Sequence, residues 1–486
     1  MTHDMAARAK ALALMMTRWP SVTGSADEVA LPSKLAKAIA FDRVWAAPIP
    51  ADAFGRSNLF ALKRSSSRHT VVLTGHFDVV SIEDYGALQP LAFEPELLLA
   101  ASIRRLQATG ENPLALADFE SGEFLPGRGL LDMKAGLAAG LAAMEAYDGE
   151  MTLVFIGVSD EEEKSAGARA AIPQLKQLAA DEHLDVKLVI NLDAIADTGD
   201  GSTGRVVTYG SIGKQLLTAL VVGKPTHAGY PENGVNAAYV LAELVREIEL
   251  APELAETTGD EVAAAPTTLF AKDLKQGYNV TTPHMACGYW NTMQHRRSGA
   301  EVMDIAMMIA ARAVARVAAK TGYAIALKRV ADLPPADQVW LDPALSLPDQ
   351  TLQALCALAK GIDQPTVILG FGSIPYPAVL LRDDALRKAT SQAIKPHGLG
   401  EVNYFAGISD VSFFGEASGD LSVVAANTPI WGKGFVMPDA GGFPAINIGP
   451  WGRDYHTWLE RLHAPYAFEI LPRVLLSVIE AVAKLR

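Results

Sequence analysis

Short runs of continuous apolar residues, each ending abruptly in polar ones, mark the first two hundred positions of the chain. Residues 70–74 lead into His76 and Asp78, residues 151–158 into Asp160–Glu163, and residues 186–192 into Asp193. Runs of this length without alternation read as strands buried on both faces. Between them, residues 135–147 and 166–179 carry helical spacing. Strands alternating with helices predict an α/β layer fold around a mostly parallel sheet. In such sheets chemistry gathers beyond the carboxyl ends of the strands, where His76, the acidic run and Asp193 stand.

Near residue 207 the pattern changes. "VVTYGSIGKQLLTALVVGKPTH" reads as strands with Gly turns, and "GVNAAYVLAELVREIE" as a helix. Strand-like "TTLFAKDLKQGYNV" and "ACGYWNTMQH" follow, and a helix over 300–320 closes the block. This predicts a small α+β domain, residues 208–322, inserted into a main domain of residues 1–207 and 323–486. A helix over 467–485 ends the chain, and the acidic stretch 86–126 reads as a candidate flap.

Composition narrows the class. A 486-residue chain that is half apolar, with a formal net charge of −13, is a multidomain globular protein rather than a partner for phosphate backbones or anionic membranes. Two cysteines, Cys287 and Cys356, belong to no Cys-x-x-Cys pair. That excludes a thiolate zinc site and fits a cytoplasmic protein. No apolar run is long enough to predict a membrane span.

Five segments carry candidate chemistry: "TGHFDVV" with His76 and Asp78, "GRGLLDMKAG" with Asp132, "VSDEEEKSAGA" with Asp160–Glu163, "INLDAIAD" with Asp193, and "GRDYHTWLE" with His456. In a strand, His76 and Asp78 share a face. Four acids at the end of a buried strand repel one another, and a bound dication removes that penalty. Imidazole and carboxylate donors without thiolate suit two zinc ions, with cobalt or manganese as alternatives.

The ordered set resembles the co-catalytic zinc hydrolases that include aminoacylase, glutamate carboxypeptidase and succinyl-diaminopimelate desuccinylase. "GRGLLDMKAG", "GYNVTTP" and "GPWGRDYHTWLERLHAPYAFEILP" resemble the arginine-utilisation (RocB-type) branch most. The resemblance implies a zinc-peptidase-like catalytic domain with a lid or dimerisation domain. It implies metal ligands His76, Asp132 (as the bridge), Glu162, Asp193 and His456, with Glu161 as general base and Asp78 orienting His76. The acidic run also admits Glu162 and Glu163 as the base and ligand pair. "GKPTHAGYPENG" resembles the family's dimerisation loop and makes His227 an oxyanion stabiliser. "YNVTTP" makes Asn279 a contact for the substrate's polar end. The implied activity is hydrolysis of an amide bond in a small substrate, a dipeptide or N-acyl amino acid, by a homodimer. The rival reading is a binding protein of the same fold, for metal or amino acid, that has lost catalysis.

Overall fold

The run that ends at His76 forms the strand His69–His76, buried along seven of its eight residues. It lies between two parallel neighbours, Thr152–Val158 and Asp185–Asn191. These three strands centre an eight-stranded sheet. Its order is Arg43–Pro48, Ser57–Lys63, Thr152–Val158, His69–His76, Asp185–Asn191, Ala445–Asn447, Val206–Thr208, Gly400–Val402. The sheet is mixed, because Ser57–Lys63 runs antiparallel to both its neighbours and Ala445–Asn447 antiparallel to Val206–Thr208. This is the computed structural model of the chain, and it describes residues 2–197, 199–335, 339–405 and 407–485.

Helix Ala135–Ala146 is buried from Ala135 through Met144 and packs against helices Thr2–Thr17 and Leu471–Ala483. Its small residues are what let it lie so close to the sheet. A Cβ at Gly136 would stand 2.0 Å from the carbonyl oxygen of Leu192, which no real side chain tolerates. Leu137, Leu141, Leu73 and Ile190 are fully buried in the same core, each contributing roughly 1.5–3 kcal/mol of transfer free energy. The candidate flap is instead part of this wall. Its helices Pro95–Thr109 and Pro113–Ser121 bury Leu106, Ala115 and Phe119 in the main core.

The chain divides into two compact units, residues 1–211, 380–416 and 438–486 in one and residues 212–379 and 417–437 in the other. The second unit holds a five-stranded sheet in the order Thr267–Asp273, Met285–Gln294, Gly213–Val222, Thr366–Phe371, Ala326–Arg329. Helices Ala237–Ile248 and Gly299–Thr321 share a core with one face of it, through Leu217, Val221 and Trp290. Helix Leu347–Leu358 adds Leu355 to the other face, beside Cys287 and the partly buried Cys356, both free thiols.

This unit takes in more chain than residues 208–322. Thr366–Phe371 pairs with the central strand Gly213–Val222, and Ala326–Arg329 pairs with Thr366–Phe371 in turn. Residues 323–379, expected in the main domain, thus complete the inserted sheet. The chain passes between the units at four places rather than two.

Candidate metal centre

Each strand of the central trio ends in a residue of one cluster. His76 closes its own strand, Glu161 and Glu162 follow Thr152–Val158, and Asp193 follows Asp185–Asn191. Asp132 arrives on the turn before helix Ala135–Ala146, where its bond to Met133 is cis, and His456 on a loop after Trp451–Arg453.

Asp132 stands between the two imidazoles. Its Oδ1 is 3.1 Å from His76 Nε2 and its Oδ2 is 3.2 Å from His456 Nε2. Asp193 Oδ1 is 3.8 Å from His76 Nε2, and Glu162 Oε2 is 3.2 Å from His456 Nε2. Donor atoms of His76, Asp132 and Asp193 lie within 4.8 Å of one another, as do those of Asp132, Glu162 and His456. Asp132 is common to these two metal-sized groupings, and His76, Glu161 and Glu162 form a third. Glu161 Oε2 is 3.9 Å from His76 Nε2. Glu163 is exposed and pairs with its neighbour Lys164, so geometry favours the Glu161 and Glu162 register.

The electrostatics of the metal-free chain fit a dication. Burial pushes the pKa of Glu161 well above the usual carboxylate range, with Asp410, Asp193 and Glu162 adding repulsion. Burial also raises Glu162 and Asp193. Against the opposing effect of burial, Asp132 and Glu162 lift His456 to about 10. His76 is likewise raised, by Glu161, Asp132 and Asp193. Burial opposes ionisation of Asp132 too, but His456 and His76 override it and hold its pKa low. Without metal the imidazoles keep protons to balance the carboxylates. Two divalent ions would replace those protons, and the donors, all nitrogen and oxygen, are those zinc accepts.

Asp78 plays a different part from the one expected. The ring of His76 donates from Nδ1 to the backbone carbonyl of Asp78 at 3.0 Å, leaving Nε2 for the cluster. The Asp78 carboxylate stands 3.8 Å from that ring and instead accepts the backbone N–H of Glu161 at 3.1 Å and of Glu162 at 3.3 Å. Thr23 Oγ1 donates to it at 2.9 Å. Asp78 thus orients His76 through the main chain, while its side chain holds the acidic turn.

Further anchors surround the cluster. Asn447 brackets Asp193, accepting its N–H at 3.0 Å and donating to its carbonyl at 2.9 Å. Asp160 and His456 both adopt left-handed backbone, at φ 66° and 63°, a conformation that non-glycine residues hold only where surroundings enforce it. For Asp160 the enforcement is visible. Arg56 Nη1 donates to its carboxylate at 2.6 Å, and Glu28 accepts its N–H at 3.1 Å. Asp410, which sequence reasoning missed, is 2% exposed and pushed up to about 7 by burial, with Asp193 and Asp78 adding to it. Its segment "GISDVSFF" shows no periodic or spacing signal that separates it from a helix start.

His227 and Asn279 belong to the second unit. His227 is exposed, its Nδ1 accepting the N–H of Gly229 at 3.0 Å, and it lines a cavity of about 560 Å³ with Thr226, Lys275, Thr282 and His284. Asn279 is also exposed, its Oδ1 accepting from the N–H and hydroxyl of Thr281 at 3.1 and 2.5 Å.

Comparison with known proteins gives the family. Residues 72–428 match the model of Peptidase family M20/M25/M40. The chain is 32% identical to the uncharacterized protein YqjN of Bacillus subtilis (strain 168), over 98% of this chain and 96% of that one. It is 28% identical to Protein RocB of the same organism, over 88% and 85%. The solved structure of Bacillus subtilis YXEP, described as a dinuclear metal binding peptidase, matches with a TM-score of 0.55 over 99% of both chains. At 12% identity that likeness is one of fold. The family match and the full-length relative place this chain in peptidase family M20/M25/M40, a family of metal-dependent peptidases and amidohydrolases.

Proposed function

We propose that this protein hydrolyses an amide bond in a small substrate, a dipeptide or an N-acyl amino acid, with two divalent ions, zinc before cobalt or manganese. The observation that carries the reading is Asp132, with one oxygen facing His76 and the other facing His456. His76 and Asp193 would hold one ion, Glu162 and His456 the other, and Asp132 both. Such a pair supplies Lewis-acid polarisation of the scissile carbonyl and a water acidified toward neutral pH.

The chain's own residues do the rest. Glu161 stands outside the two groupings that share Asp132 and forms a third with His76 and Glu162. In this reading it accepts a proton from the attacking water and returns it to the leaving amine. Its raised proton affinity in the metal-free chain is consistent with a group that holds and releases a proton. Asp78 fixes that turn by its backbone. His227 is proposed to donate to the oxyanion and Asn279 to meet the substrate's polar end, with a homodimer formed through the second unit.

The test is metal analysis of the purified protein, then a panel of dipeptides and N-acyl amino acids assayed with and without added zinc. Hydrolysis that is abolished by a chelator and restored by zinc is the expected result. A metal-replete protein inactive on every amide offered, yet binding amino acids, would favour the rival reading of a binding protein.

A further inference from the structure

The proposed centre joins segments that are far apart in the chain, and two of them are tied by one side chain that carries no donor atom of the cluster. Glu460 lies four residues after His456 and is 1% exposed. Its Oε1 accepts the backbone N–H of Gly129 at 2.9 Å and of Leu131 at 3.3 Å. Its Oε2 accepts from Arg128 Nη1 at 2.8 Å. Arg128, also 1% exposed, turns its Nη2 to Asp84 at 2.8 Å.

The turn that Glu460 grips has little geometry of its own. Gly129 sits at φ 72°, and Asp132 and Met133 depart from helical φ and ψ. A segment of this kind takes its position from external anchors. Both His456 and Asp132 therefore ride on chain that the Glu460 carboxylate joins. Their side chains stand 3.2 Å apart. The other half of the centre is held differently. His76 is fixed by its strand and the Asp78 carbonyl, and Asp193 by Asn447. A buried carboxylate with two amides and a guanidinium is fully paired, so the anchor is strong while all its partners remain.

We propose that Glu460 is a positioning residue that sets the Asp132–His456 spacing. It governs affinity for the ion held by Asp132, Glu162 and His456 more than for the ion held by His76, Asp132 and Asp193. The inference rests on the dinuclear reading above.

The experiment titrates chelator-stripped, full-length protein with Zn²⁺ by calorimetry. Paired variants avoid leaving a lone buried charge. Glu460→Gln with Arg128→Met keeps an oxygen for the two amides, and Glu460→Met with Arg128→Met removes it. The wild type is expected to bind two ions. The Gln/Met pair should bind both with affinities within about threefold of wild type. The Met/Met pair should weaken the ion held by Asp132, Glu162 and His456 by roughly 10–100-fold, the scale of lost outer anchors, and the other ion, which shares only Asp132 with it, by clearly less. Should the Met/Met pair misfold by circular dichroism, Glu460→Asp replaces it, since the shortened arm draws back from the amides. The same selective loss is expected there. Two unchanged ions, or two equally weakened, in a folded variant overturn the positioning role and leave the dinuclear reading standing. A wild type that binds no zinc overturns both.

Discussion

The carboxylate of Asp78 accepts the backbone N–H of Glu161 at 3.1 Å, while His76 reaches Asp78 through its carbonyl. Asp78, two residues after His76, thus holds the Glu161–Glu162 turn with its side chain. Replacing Asp78 with Ala should loosen Glu161 and Glu162 together. Turnover should fall, and the ion held by Glu162 should bind about tenfold more weakly, whereas the His76 ion should be little changed. Zinc titration and kcat measured side by side check this. Selective loss of the His76 ion would mean that the carboxylate serves the ring after all.

Glu161→Gln should retain both ions and lose at least ~10²-fold in rate, the usual scale for a positioned general base. Metal content by atomic emission and single-turnover rates decide it. Loss of metal with an unchanged rate per ion would make Glu161 a ligand.

Glu28, which accepts the Asp160 N–H just before the acidic turn, offers a stability test. Burial, then the charge of Asp78, pushes its pKa up to about 8 in the folded chain, from an ordinary value near 4.5. The folded state therefore binds this proton more tightly than the unfolded state. The contribution is full below pH ~4.5 and is lost as pH rises through about 8. Urea unfolding of the metal-free protein should show wild type losing stability relative to Glu28→Gln between pH 5.5 and 8.5. A constant difference across that range would contradict the shift.

The parts legible in the chain and the parts that were not differ for physical reasons. His76, Asp132, Glu162, Asp193 and His456 each sit where an apolar run or a Gly-rich turn stops, so a local pattern marks them. Glu460, Asp410 and Asn447 act on segments hundreds of residues away, as with Glu460 on Gly129, and no local pattern encodes such a meeting. The unit boundary failed for a related reason. The chain after residue 322 reads as part of the main domain, but periodicity does not say which sheet a strand joins, and Thr366–Phe371 joins Gly213–Val222. In the acidic run, Glu162 faces His456 and Glu163 faces solvent, which supports the proposal of Glu161 and Glu162 as the base and ligand pair.

His227→Ala should leave folding and metal content intact, because the side chain is exposed. It should cost ~2–4 kcal/mol of transition-state stabilisation, the scale of one oxyanion donor. If a dimer brings this loop to its partner, mixing His227→Ala with Glu161→Gln subunits should restore part of the activity, since one mixed site is whole. Full activity of His227→Ala alone removes the role.

The central claim is that Asp132 is shared by two ions. Its most direct test is anomalous diffraction at the zinc edge from crystals grown with zinc. Two peaks are expected, one on each side of Asp132, each ~2.0–2.2 Å from its nitrogen and oxygen ligands, the first bound by His76 and Asp193 and the second by Glu162 and His456. A single peak that leaves His456 or His76 without an ion, or zinc bound elsewhere with this cluster empty at saturating metal, would contradict that claim.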